Sequence, residues 1–206
     1  MPILYKYRNF NNWQFILDIF INKRLHAAPY TQLNDPMEGM YYYNDRDSYN
    51  IVTENIRNEK QRTLICSLSS LENNNLMWSH YADSHRGIIF GVEIDAPIYP
   101  AGPPNADICT RVHEVEYVSD FIDITSDMPT GTAATARKIL SKKLLPWGYE
   151  KEFRVFSRDE YIPIKIVSIT FGLKFDDSLT ASLIRGLKKK FCPQATIKTM
   201  QETELR

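Results

Sequence analysis

Two short runs constrain this fold more than any other feature. "RTLICSLSS" (62–70) and "RGIIFGVEI" (86–94) are nearly continuous in apolar and small residues. The first reads as a central strand of a sheet, and the second as the strand that follows it. Gly87 and Gly91 in the second run point to close packing or to a nearby ligand. The longest apolar stretches, "FILDIFI" and "GIIFGV", are far too short to span a bilayer. The chain therefore has to bury its sheet with its own helices.

Those helices are few and irregularly interleaved with strands. "PILYKYR" (2–8) alternates and is rich in Tyr and Ile, which reads as a strand. Trp13, Ile16, Leu17, Phe20 and Ile21 then fall at helical spacing on one face. "KRLHAAP" is a short second strand, and "YTQLNDPMEG" a loop in which Asn-Asp-Pro starts a turn and Gly39 ends it. Residues 46–60 read as a helix, and "NNNLMWSHYAD" as a short helix capped by Asn. Proline-rich residues 95–109 and residues 119–131 read as irregular loops around the strand "RVHEVEYV". A helix is expected over 132–144, and a strand over "YEKEFRVFS" (149–157). "PIKIVSITFG", "DDSLTASLIRGLKKKF" and "ATIKTM" form a C-terminal strand–helix–strand unit. The expected class is α+β: a single domain over 1–206, with a mixed, mostly antiparallel sheet packed by several short helices.

Charge and cysteine usage exclude several functions. Lys plus Arg and Asp plus Glu number 25 each, so the net charge is zero and no general field holds nucleic acid or an anionic membrane. The run Lys188–Lys190 closes a predicted helix, where cations complement the helix dipole. Three cysteines lie far apart, without a Cys-x-x-Cys pair or zinc spacing. An odd number with no leader pattern points to a reducing cytoplasm.

Four segments could carry chemistry. In "YEKEFRVF", strand alternation sends Glu150, Glu152 and Arg154 to one face and Phe153 and Val155 to the other. A Glu-x-Glu pair beside a guanidinium can stabilise a cationic transition state, or it can be a solvated ion ladder. Trp147 and Tyr149 just upstream could wall a flat ligand. In "LYKYR", Lys6 and Arg8 among tyrosines suit a phosphate or nucleotide, or are edge-strand cations left in water. In "LNDPMEG", Asn34, Asp35 and Glu38 either serve a ligand or hold their own loop by Asx-type bonds. In "LMWSHY", Trp78 is expected to be buried and structural, with His80 pointing inward and Tyr81 edging a cleft. No metal set is expected there, because His80 and His85 are off-face on a helix and nothing nearby completes one. The similar polar character of the four segments predicts that they converge, with His80 bonded to another of them.

In this order, "LYKYR", "LNDPMEG", "LMWSHYADSHRGIIFGVEI" and "WGYEKEFRVF" resemble a bacterial and phage-associated family known as domain of unknown function 2971. That resemblance supplies no reaction. The motif order is also similar to that of ADP-ribosyltransferases: a strand bearing a cation, a helix, a short strand and a late glutamate on a strand. The second resemblance implies NAD as cofactor, contacted by Lys6 or Arg8, and Glu152 as the catalytic glutamate. Tyr81 or Ser67 takes the middle-motif role, although no clear Ser-Thr-Ser element is present. Three functions follow as expectations: an NAD-using enzyme in a defence or regulatory setting; a hydrolase, perhaps metal-dependent, built from Asp35, Glu38, His80, Glu150 and Glu152; or a non-catalytic module for a nucleotide or a protein partner.

Overall fold

The computed structural model of the protein describes residues 2–44, 50–94, 98–99, 111–126 and 133–201. The alternating N-terminal run forms β1 (Leu4–Arg8), followed by α1 (Trp13–Asn22), which ends on Lys23 in the left-handed conformation. "KRLHAAP" divides into β2 (Arg24–His26) and β3 (Ala28–Pro29). After the loop come β4 (Tyr41–Tyr42), α2 (Asn50–Arg62) and β5 (Leu64–Ser69). Then follow α3 (Asn75–Tyr81), β6 (Ile88–Glu93), β7 (Ile98–Tyr99), β8 (Arg111–Glu114), β9 (Glu116–Val118) and β10 (Ile122–Asp123). The C-terminal part holds α4 (Ala133–Leu140), β11 (Lys142–Leu144), a 3-10 helix (Leu145–Glu150) and β12 (Glu152–Ser157). It closes with β13 (Tyr161–Pro163), β14 (Lys165–Phe171), α5 (Ser178–Phe191) and β15 (Thr196–Thr199).

The class is α+β. The main sheet runs β15-β14-β6-β1-β5-β12-β8-β7, with β3 also pairing β5. Its pairs are antiparallel except β14 with β15 and β7 with β8. Alternation along β6 divides the core. Ile88, Phe90 and Val92 join the cluster under α1 and α5, built on Ile16, Ile19, Phe20 and Ile184. Ile89 faces the other way, onto Trp78, Met77 and Tyr7. α4 covers the same side further along, through Leu140 on Ile65 and Phe156. The sheet is thus sandwiched between helices, as its doubly apolar central strands require.

Several expected boundaries move. In α1 the buried residues are Ile16, Ile19 and Phe20, while Leu17 and Ile21 lie toward solvent, so the apolar stripe keeps Ile16 and Phe20 but is rotated toward Ile19. The helix expected over 132–144 stops at Leu140, and Lys142–Leu144 pair with β9 instead. The strand expected from Tyr149 starts only at Glu152: Tyr149 and Glu150 belong to the 3-10 helix, and Lys151 is left-handed at φ 43°. "RVHEVEYV" breaks into β8 and β9. Within the two expected loops, Ile98–Tyr99 and Ile122–Asp123 are short strands. Residues 95–97, 100–109 and 127–131 of these loops, and 46–49 of the helix expected over 46–60, lie outside the described residues.

Close packing accounts for both Gly87, just before β6, and Gly91 within it. A Cβ on Gly87 would lie 2.3 Å from the Arg8 carbonyl oxygen, and one on Gly91 would lie 2.1 Å from Ser168 Oγ. Gly87 follows a turn in which Asp83, Ser84 and His85 all have positive φ, and its N–H donates to the Ala82 carbonyl (2.8 Å). This left-handed stretch hands α3 over to β6.

Candidate functional site

The site begins with a gap in the sheet. One edge of β5 is paired along its whole length by β12, from Leu64 with Ser157 to Ser69 with Glu152. The other edge is shared. β3 pairs Leu64 and Ile65, β1 pairs Ser69 alone, and residues 66–68 have no strand beside them there. Lys6 fills part of the gap: its ammonium donates to the Ser67 carbonyl at 2.6 Å. A cleft of about 230 Å³ opens at this break.

All four sequence segments reach this cleft. Its lining includes Lys6 and Arg8 of β1, Asn34 of the loop, Tyr81 of α3, and Glu150, Glu152 and Arg154 of the late segment. Three residues of the prediction stand back from it: Glu38 and Asp35 of the loop, and His80, described below. Glu38 is buried behind the wall, where both its oxygens accept from Arg154 Nη1 and Nη2 at 2.7 Å. Asp35 holds its own loop: its Oδ1 accepts from the Met37 N–H (2.9 Å) and its carbonyl from the Glu38 N–H (3.1 Å). That is the Asx arrangement the sequence offered as one alternative.

The floor of the cleft is a buried ionic network. Arg154 is fully buried and also donates through Nε to Glu152 Oε1 (2.9 Å), through Nη2 to Oε2 (3.0 Å) and through Nη1 to the Leu140 carbonyl. Lys143 donates to Glu150 Oε2 (2.6 Å) and Glu152 Oε2 (3.4 Å), and Tyr81 Oη to Glu150 Oε1 (2.5 Å). Burial opposes the charge on Glu152, but Arg154 overrides it, helped by Lys143 and Ser67, and the carboxyl is pulled down to about 2. Glu150 goes the other way. Desolvation raises it, with a further push from Glu152, against the pull of Lys143 and Tyr81. Desolvation first, then Glu150, holds the Tyr81 hydroxyl far above its ordinary range.

Glu150 therefore reaches the same network as Glu152 and Arg154 by a route that strand alternation did not describe. It descends from the 3-10 helix, fixed by its carbonyl, which accepts from Ser69 Oγ (2.6 Å). Lys143 was not foreseen, because the expected helix over 132–144 made it one more surface cation. Pro146 disfavours helix only in Leu145, already beyond the expected helix, so it did not mark the earlier end at Leu140.

His80 is the main correction. It does not point inward. It is exposed on α3, lines no part of the cleft and makes no hydrogen bond to another segment; its ring only borders those of Tyr81 (6.3 Å) and Tyr149 (6.0 Å). Helix geometry explains this. Met77 and Trp78 occupy the buried stripe and Tyr81 continues it four residues after Met77, which turns His80 to the open side. Trp78 is wholly buried, edge-on to Tyr7 and stacked on His85, as a structural plug should be.

The remaining cations differ from Arg154 and Lys143. Lys6 and Arg8 carry no ion pair to a carboxylate among the described residues. Arg8 lies over the Phe15 ring (5.5 Å), and its buried Nε has no hydrogen-bond acceptor. Desolvation brings Lys6 down to about 8, with Arg8 adding to the drop and Glu152 opposing it. Desolvation also lowers Arg8. Among the described residues, no three His, Cys, Asp or Glu side chains gather where they could hold a metal ion. No helix of the described residues is long and apolar enough to cross a membrane.

Comparison of the chain with family models, with curated proteins and with solved structures gives no match.

Proposed function

We propose that the cleft binds a small anionic ligand of the nucleotide class, with phosphate or pyrophosphate oxygens taken by Lys6 and Arg8. One observation carries this reading: two desolvated cations wall the cleft without a carboxylate bonded to either. Buried charges are costly unless paired, so a ligand that supplies the missing negative charge gains what the free protein lacks. A planar guanidinium beside an ammonium suits phosphate oxygens in particular. The resemblance to the family of domain of unknown function 2971 belongs to this reading, since its four motifs are the segments that meet at the cleft. A cytoplasmic location goes with it, in keeping with the free, buried thiols of Cys66 and Cys192.

The test is calorimetric titration with NAD, ADP-ribose, ATP and inorganic phosphate, with thermal melting in parallel. A ligand at 100 times its dissociation constant stabilises by about 2.7 kcal/mol, which melting detects readily. Arg8→Ala should weaken binding at least tenfold. Lys6 has to be protonated to hold an anion, so affinity should fall as pH rises through about 8, not near the 10.5 of an ordinary lysine. Absence of binding by all four compounds at millimolar concentration overturns the reading.

A second reading is favoured by Glu152, a carboxylate kept ionised on a rigid strand in the same cleft. In it the ligand is NAD, and Glu152 stabilises positive charge developing on the ribose as nicotinamide departs. Glu152→Gln should then cut NAD consumption by orders of magnitude while NAD still binds. Equal turnover in both proteins removes this reading and leaves the binding module. A metal-dependent hydrolase finds less support, since its expected residues are divided between cleft floor, loop and open surface.

A further inference from the structure

Three aromatic rings stand in a row next to residues that line the cleft. The ring of Tyr149 lies 6.0 Å from that of His80 on one side and 6.2 Å from that of Trp147 on the other, at tilts of 39° and 33°. His80 is exposed, and Tyr149 and Trp147 are half-buried. Each ring is tied to a residue that lines the cleft. His80 borders Tyr81, Tyr149 precedes Glu150 in the 3-10 helix, and Trp147 carries the Lys143 ammonium 4.5 Å from its ring centre.

Tyr149 packs against the cluster of Tyr7, Met77 and Trp78, and Trp147 takes the Lys143 ammonium on its ring, yet both rings remain partly in water and His80 is exposed beside them. A half-wet run of three aromatic side chains leaves apolar faces in water, where they form a stacking surface without hydrogen-bond demands. Flat heterocycles bind such surfaces irrespective of their edge pattern. The row adjoins Tyr81, Glu150 and Lys143 of a cleft that Lys6 and Arg8 of β1 also line. A ligand with phosphates at one end and a flat ring at the other matches both features.

We infer that the His80–Tyr149–Trp147 row is a base-stacking subsite, so that the ligand of the cleft is a nucleotide held at both ends and not a simple phosphate. This deepens the anion-binding reading and rests on it. It gives His80 a place in the row, where it contacts the ring of the ligand instead of reacting.

The experiment compares ADP with pyrophosphate and ribose 5-phosphate by calorimetric titration of the full chain. In the wild type, ADP should bind about five- to a hundredfold more tightly than pyrophosphate, the range that one stacked base supplies. His80→Ala and Trp147→Ala, separately and together, should bring the ratio of the two affinities toward one. Quenching of the Trp147 fluorescence should accompany ADP but not pyrophosphate, with Trp147→Phe identifying the signal. The exposed His80 side chain makes no hydrogen bond among the described residues, so its Ala variant should melt like the wild type and keeps the test open if Trp147 proves necessary for folding. Equal affinity for ADP and pyrophosphate overturns the stacking subsite alone, as does a ratio that survives both substitutions. Binding of none of the three overturns the anion site and the subsite with it.

Discussion

Arg154 is the residue on which most of the site depends. Its guanidinium joins Glu38 of the loop, Glu152 of its own strand and the carbonyl that ends α4, all away from water. Removing one member of a buried ion pair costs about 3–5 kcal/mol, because the partner is left charged and unpaired. Arg154→Met, similar in length and apolar, should lose about that much in urea denaturation, with Glu38 stranded and Glu152 left to Lys143 alone. Glu152→Gln should cost less, about 1–3 kcal/mol, since Glu38 still holds the guanidinium from the other side. The same geometry explains why the sequence identified Glu152 and Arg154 as partners but undervalued Glu38. Two residues apart on a strand is a legible spacing, whereas a pair 116 residues apart has no signature in one chain.

Among the elements, α3 and the 3-10 helix are coupled through one side chain. Asn74 caps α3, its Oδ1 accepting from the Leu76 and Met77 N–H groups, while its Nδ2 donates to the Tyr149 carbonyl (2.9 Å). It thereby sets the height of Tyr81 against Glu150. Asn74→Ala should cost about 1–2 kcal/mol for the cap alone. Asn74→Asp should keep the cap and lose the donor, so a smaller loss of stability with an equal loss of ligand affinity would mark the coupling as functional. Chemical denaturation and calorimetry on the two variants separate these contributions. The cap itself was readable in the sequence, as an Asn cluster before an apolar set. The contact with Tyr149 was not, because the segment containing it looked like strand and proved to be 3-10 helix.

For the whole molecule, the sign of the acid response follows from Glu152. Its carboxyl is depressed from an ordinary 4.5 to about 2, so it contributes stability that is complete above 4.5 and lost as pH falls from there toward 2. Glu150 is raised, so it opposes this at neutral pH and relents as it protonates. The net expectation is a steep fall in unfolding free energy between about pH 4.5 and pH 2, measured by urea denaturation across that range, and removed in large part by Glu152→Gln. A flat profile would show that the network contributes little to folding. By itself the sequence determined the α+β class, the apolar central strands and the short capped helix with its buried Trp78. These rest on periodicity, capping and composition, which act within a few residues of each other. Only the tertiary structure decided the break between β1 and β3 along β5, the entry of Lys143, and the outward turn of His80. Each depends on which strand edge is left unpaired and which helix face is already filled, and those are set by neighbours distant in the chain.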